Sequence, residues 1–137
     1  MAKRTVIITM LSFLAGAVLG NWLLPALRAQ ERRTVQTKDL MRFDLGSWCE
    51  GKEVAIELYE FGPGTSGKHY HPAHSFGWVV EGTEVHTIQG RPPITAKAGE
   101  VLHDGPGEVH ESLNTAPLKL LSFRIIEKGK EETTSLP

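Results

Sequence analysis

The chain has 137 residues, 15 basic and 16 acidic side chains, and a single cysteine. This length fits one domain, and the nearly balanced charge includes no basic cluster of the kind that binds nucleic acid. One cysteine cannot form an internal disulfide. The domain must therefore be stabilised by its core, by a bound metal or by a second subunit.

The first 29 residues are predicted to be a signal peptide or a membrane anchor. Lys3 and Arg4 precede a run without charge from residue 5 to residue 27. A positive start, an apolar middle and a small residue at Ala29 are typical of a signal peptide, so we predict cleavage after Ala29. The run is also long enough to span a bilayer as an uncleaved helix. Both alternatives export the rest of the chain, either as a periplasmic or secreted domain or anchored by residues 5–27.

The remaining sequence predicts an all-β domain. Residues 30–43 are polar and of mixed charge, which indicates a linker that becomes an edge strand. Residues 44–128 contain short alternating runs separated by glycine and proline, and no helical period follows residue 30. This pattern predicts an antiparallel sandwich or barrel. Residues 129–137 are predicted to be a solvated tail.

Two of the alternating runs have a clear apolar face. Val54, Ile56 and Leu58 project from one side of the first run, because side chains on a strand alternate between its two faces. In the last run Leu121, Phe123 and Ile125 share a face in the same way. Both runs are therefore predicted to be strands.

All six histidines lie between Gly64 and Asn114, which indicates a single site. His69 and His71 project from the same face of an extended strand with Cα atoms about 6.6 Å apart, so both can bind one divalent ion. His110 lies some forty residues further on, beyond a turn sequence at residues 104–107, and must come from another strand. These three histidines are the predicted metal ligands.

The two histidine segments carry a family resemblance. Residues 69–82 read HYHPAHSFGWVVEG, and residues 105–114 read GPGEVHESLN. They resemble the two motifs of the small single-domain cupins, and the resemblance covers about residues 36–132. It implies a cupin jelly-roll barrel over residues 44–128, with Asn114 supporting the second motif. The family also commonly forms homodimers.

The sequence departs from the family pattern in two places. Ser75 stands where the family usually has a glutamate ligand, and Glu84 and His86 replace apolar residues on the next strand. Three explanations remain open: Glu84 or His86 supplies the missing ligand, the metal keeps three histidines and an open position, or Glu84 and His86 pair with each other. His74, beside Ser75, is a further candidate for the pocket.

Two other polar residues have a predicted place. His103, next to a turn, is expected at the surface. Arg124 stands on an otherwise apolar strand. It is expected to reach solvent at the barrel mouth, where its stem covers apolar surface, or alternatively to bind an anionic substrate.

Imidazole ligands suit several first-row divalent metals, among them Fe, Mn, Zn, Ni and Cu. Histidine-rich sites without the glutamate resemble those of oxygen-using cupins, which favours Fe(II). The leading hypothesis is a dioxygenase-like enzyme that acts on a small organic molecule. The alternatives are a cupin module that binds a small molecule or metal without turnover, and a metal-dependent isomerase or lyase with Glu84 or His86 as general base.

Overall fold

The computed structural model describes residues 31–137, and these residues form two antiparallel sheets with almost no helix. The predicted N-terminal helix of residues 1–29 lies outside the described residues. The all-β prediction is confirmed. A short 3-10 turn spans Gly46–Trp48. The strands are β1 (Val35–Asp44), β2 (Lys52–Phe61), β3 (Gly64–Thr65), β4 (His69–Tyr70), β5 (Ser75–Glu81), β6 (Thr83–Ile88), β7 (Ile94–Lys97), β8 (Val101–Asp104), β9 (His110–Asn114), β10 (Leu118–Glu127) and β11 (Thr134–Ser135).

The two sheets are built from strands that are distant in sequence. One sheet has five strands in the order β1-β2-β10-β5-β8, and the other has the order β11-β4-β9-β6-β7, with β3 beside β9. Strands β2 and β10 pair along their whole length, from Phe61 opposite Leu118 to Lys52 opposite Glu127. Strand β1 is the edge strand that the sequence predicted. In the part of the chain that the structure describes, no helix has the length and apolar character needed to cross a membrane.

The space between the sheets divides into an apolar core and a polar cavity. The core is formed by Phe61, Val79, Ala96, Leu102 and Leu118. Beyond it the inner side chains become polar, and a cavity of about 260 Å³ opens between the sheets.

The apolar face of the two central strands points away from this interior. On β10, Ser122 and Arg124 are buried, whereas Phe123 and Ile125 are 38% and 42% exposed. On β2 the buried side chains are Ala55, Glu57 and Phe61. The residues that share an apolar face in each strand therefore lie on the outer side of the five-stranded sheet, because alternate residues point to opposite sides.

The segment before β1 crosses the cavity. The backbone amide of Thr65 donates to the carbonyl of Glu31 at 2.8 Å, and the amide of Arg33 donates to the carbonyl of Thr65 at 2.9 Å. The crossing requires glycine at position 64, where φ is +134° and a Cβ atom would lie 2.3 Å from the Glu31 carbonyl oxygen. This approach places the Arg33 side chain in the cavity wall.

The C-terminal residues differ from the predicted solvated tail. Thr134 and Ser135 form β11, which pairs with Tyr70 and His69 of β4. The amide of Leu136 donates to the carbonyl of Lys68 at 2.9 Å. Residues 131–136 thus complete the six-stranded sheet beside the cavity, because their backbone groups find partners there rather than in water.

Candidate metal centre

Three histidines converge in the cavity. His69 of β4 and His110 of β9 are direct partners across the sheet, and His71 follows β4 on the same face as His69. The ring centroids of His69 and His110 are 4.2 Å apart, and those of His71 and His110 are 5.1 Å apart. One nitrogen from each ring lies within 4.8 Å of the other two. The predicted ligand residues therefore lie close enough to share one ion.

A backbone carbonyl fixes the orientation of each ring. Nδ1 of His69 lies 2.9 Å from the carbonyl of Gly67, and Nδ1 of His110 lies 2.9 Å from the carbonyl of Glu108. Nδ1 of His71 lies 2.8 Å from the carbonyl of Glu132, in the C-terminal segment. Because a carbonyl only accepts, each Nδ1 must carry a proton, so that in a neutral ring Nε2 keeps its lone pair. Histidine ligands in metal sites are oriented in this way.

Burial keeps two of these rings neutral. It lowers the pKa of His69 to about 4 and, with Arg124 nearby, the pKa of His71 to about 3. Both rings are therefore uncharged near neutral pH. Neutral imidazole is the form that binds a metal ion.

Ser75 faces the cavity and is hydrogen-bonded to an arginine. Its hydroxyl accepts from Nε of Arg124 at 3.1 Å. Arg124 also donates from Nη1 to Glu57 and to Glu132, each at 3.0 Å. Arg124 is thus buried in ion pairs between two sheet strands and the C-terminal segment, and the prediction that it reaches solvent is wrong.

Glu84 and His86 line the cavity but belong to a hydrogen-bonded network. Glu84 accepts from the Ser112 hydroxyl at 2.5 Å and from Arg33 Nη1 at 3.3 Å. His86 contacts the Ser112 hydroxyl through Nδ1 at 3.1 Å and donates from Nε2 to Asp104 at 2.7 Å. The polar atoms of Glu84 and His86 therefore all have protein neighbours, which supports pairing over a role as metal ligand.

His86 and Asp104 stabilise each other's charge in this network. Burial alone would lower the pKa of His86, but hydrogen bonds to Asp104 and Glu84 raise it to about 9. Burial would raise the pKa of Asp104, but the hydrogen bond to His86 holds it below its ordinary value. His86 is therefore an imidazolium and Asp104 a carboxylate at neutral pH.

A second polar cluster closes the cavity from the side of β2. The Tyr59 hydroxyl donates to Glu57 at 2.7 Å and accepts from Arg124 at 3.1 Å. Burial raises the pKa of Tyr59 to about 12. Arg42 bridges from β1 to Glu57 and to Glu132. The cluster holds the C-terminal segment against the five-stranded sheet.

His74 and His103 lie apart from the triad. Nδ1 of His74 is 3.0 Å from Nε2 of His103, and both rings stack near Phe76 on the outer side of the five-stranded sheet. The structure thus places His74 outside the cavity, whereas Ser75, Glu84 and His86 line it. The surface position predicted for His103 agrees with the structure.

Asp104, Arg33 and Glu132 line or close the cavity, yet the sequence analysis did not select them. Asp104 was interpreted only as part of a turn, although it alternates in phase with the apolar Leu102 on β8. That phase was a usable signal, because residues two apart on a strand share a face. No local pattern marks Arg33 or Glu132, since their positions depend on contacts more than thirty residues away in sequence.

The part of the chain that contains the histidine triad and most strands matches a known protein family. The model of the cupin domain matches residues 57–124, which include the triad and most of both sheets. The chain belongs to the cupin family. No curated protein matches the sequence as a relative.

Solved cupin structures share the fold at low sequence identity. A cupin superfamily protein from Desulfitobacterium hafniense is 18% identical with a TM-score of 0.57, over 76% of this chain and 88% of that protein. The DMSP lyase DddQ from Ruegeria pomeroyi is 16% identical with a TM-score of 0.61, over 74% of this chain and 51% of the lyase. The EutQ protein of Clostridium difficile is 21% identical with a TM-score of 0.54, over 67% and 68% of the two chains. This chain therefore spans about half the length of the lyase.

Proposed function

We propose that this cupin is a metal-dependent enzyme acting on a small organic molecule, with a dioxygen-using reaction as the leading candidate. The observation that carries the proposal is the arrangement of His69, His71 and His110, which each offer a ring nitrogen within 4.8 Å of the other two and each bond a backbone carbonyl through Nδ1. Three neutral imidazoles fit a first-row divalent ion, and Fe(II), Mn, Zn, Ni and Cu all accept such ligands. When bound, Fe(II) would activate dioxygen for reaction with the substrate, and the substrate would supply the electrons.

The protein contributes a small cavity between the two sheets. Its volume of about 260 Å³ lies near the lower end of the range for ligand pockets, so the substrate should be small. Arg33 and Arg124 form part of the wall, while Leu102 and Leu120 provide an apolar part. Such a wall can orient a substrate that has both a polar and an apolar end, and it limits the access of water.

The test measures oxygen consumption by protein loaded with Fe(II) in the presence of catechols, flavonols and diketones. We expect oxygen uptake with a member of the panel, and we expect it to be lost in His110→Ala. Turnover of a substrate without oxygen uptake would overturn the dioxygen reaction. Binding without any turnover would favour a cupin module that only captures its ligand.

A metal-dependent lyase or isomerase is the second candidate. It is favoured by the titratable groups buried in the cavity, because proton transfer at carbon needs a positioned acid or base. Nε2 of His86 donates a hydrogen bond to Asp104, and Glu84 belongs to the same network. For this candidate we expect substrate loss under nitrogen at the same rate as in air.

We also propose that the domain is exported, on the basis of the uncharged run at residues 5–27. Fractionation of cells that produce the full chain tests this proposal. Recovery of the protein from the cytoplasm would contradict it.

A further inference from the structure

We infer that Asp104 supplies the carboxylate ligand of the metal centre in place of the glutamate that Ser75 replaces. The inference rests on the proposed metal site and adds a fourth ligand to it. Ser75 of β5 and Asp104 of β8 are direct partners across the sheet. Since partners in an antiparallel pair project to the same side, Asp104 enters the cavity next to the position that the glutamate would occupy.

One oxygen of Asp104 is available to an ion. Oδ1 accepts from His86 at 2.7 Å, whereas Oδ2 makes no hydrogen bond with the described residues. Oδ2 lies 3.6 Å from Nε2 of His110, and the residue is only 6% exposed. Two ligands bonded to one ion at about 2.1 Å lie roughly 3.0 to 3.4 Å apart. The Asp104 carboxylate is near this distance from His110, and it must move closer to His69 and His71, which with His110 already form a group within 4.8 Å, when the ion binds.

The other cavity carboxylate near the triad is already engaged. Glu84 has one oxygen on Ser112 and the other on Arg33. His86, through its contact with Oδ1, holds the Asp104 carboxylate in place, as outer hydrogen bonds do for metal-ligating carboxylates. The network therefore orients Asp104 toward the triad.

The experiment measures the affinity of purified protein for Co(II) and Mn(II) by calorimetry, together with the visible spectrum of the Co(II) form. We expect Asp104→Asn to lower the affinity for both metals by about 10-fold or more and to change the visible spectrum of the Co(II) form. Glu84→Gln is the matched control: it removes one negative charge from the same cavity but no predicted ligand, and should change affinity by less than about 3-fold. In the Asp104→Asn background, Ser75→Glu should restore much of the affinity, because it returns a carboxylate to the family position.

The outcomes separate this inference from the proposed function. If wild type binds one metal ion and Asp104→Asn binds it equally well with the same spectrum, Asp104 is no ligand, but the histidine site stands. Equal losses in Asp104→Asn and Glu84→Gln would also overturn the inference, since they would reflect charge alone. If wild type binds no metal, both the inference and the proposed metal site fail.

Discussion

At the residue scale, the candidate site depends on where three protons reside. Each Nδ1 proton of the triad points at a backbone carbonyl, so a neutral ring has its Nε2 lone pair available for the same space. Burial of His69 and His71 disfavours the charged rings and keeps those lone pairs free near neutral pH. The chain thus prepares a ligand set before any metal arrives, and metal binding need not displace protons from these two rings.

In contrast to His69 and His71, His86 has a raised pKa. The stability of the protein should therefore depend on pH. Burial alone would lower the pKa of His86, but the carboxylates of Asp104 and Glu84 raise it from 6.5 to about 9. Between these two values the folded protein holds a proton that the unfolded chain has released. This contribution to stability is therefore fully present below about pH 6.5 and is lost as the pH rises through 9.

For metal-free protein, the free energy of unfolding contributed by His86 should decrease over this window by an amount on the order of 3 kcal/mol. Urea unfolding in EDTA at several pH values measures the decrease. His86→Gln has no titrating ring and should show a flatter profile over the same range. Parallel profiles for wild type and variant would show that His86 does not hold the proton.

At the element scale, the sequence revealed which residues share a strand face but not which of the two faces points into the interior of the protein. Alternation correctly grouped Leu121, Phe123 and Ile125 on one side of β10. The opposite side carries Ser122 and Arg124, which are nevertheless buried because Arg124 finds Glu57, Glu132 and Ser75 as partners. Those partners come from β2, β5 and the C-terminal segment, so no local pattern could reveal them.

Sequence spacing was more informative where the chemistry is local. His69 and His71 were placed on one face from their spacing alone, and His110 was predicted as their partner from another strand. The C-terminal segment shows the limit of such reasoning. Residues 129–137 contain charges and small polar residues, which are typical of a tail, yet β11 forms because β4 offers it an unpaired edge.

The C-terminal segment supports a second prediction. A chain that ends at Lys130 loses β11, the carbonyl partner of His71 and both ion pairs of Glu132. The His71 ring would then be free to rotate. We expect the affinity for Zn(II) to fall by about 10- to 100-fold, as is usual when an outer hydrogen bond of a ligand is removed.

Glu132→Gln is the matched control for the truncation. It removes the charge that pairs with Arg42 and Arg124 but keeps the backbone carbonyl that accepts from His71. Zinc calorimetry should show a much smaller loss for this variant than for the truncated chain. If both bind zinc as tightly as wild type does, the C-terminal segment does not orient His71.

At the scale of the whole molecule, the site connects parts of the chain that are far apart in sequence. His69 begins the short strand β4 and His71 follows it. This strand has one residue pair with β9 and two with β11. His110 begins β9, which is paired to β6 over four residues. Without metal, β4 is held mainly by a few backbone bonds. An ion bound to both segments would connect this weakly held strand to the middle of the sheet.

Removal of metal should therefore lower the melting temperature of the protein. A ligand that binds only the folded state at 100 times its Kd adds about 2.7 kcal/mol, which for a domain of this size corresponds to about 10 °C or more. Differential scanning calorimetry with Zn(II) and with EDTA measures the difference. His110→Ala keeps only two of the three histidines and should show a much smaller difference between the two conditions. His103→Ala should respond like wild type, because its ring lies on the outer side of the five-stranded sheet. An equal response of His110→Ala and wild type would place the stabilising metal elsewhere in the protein.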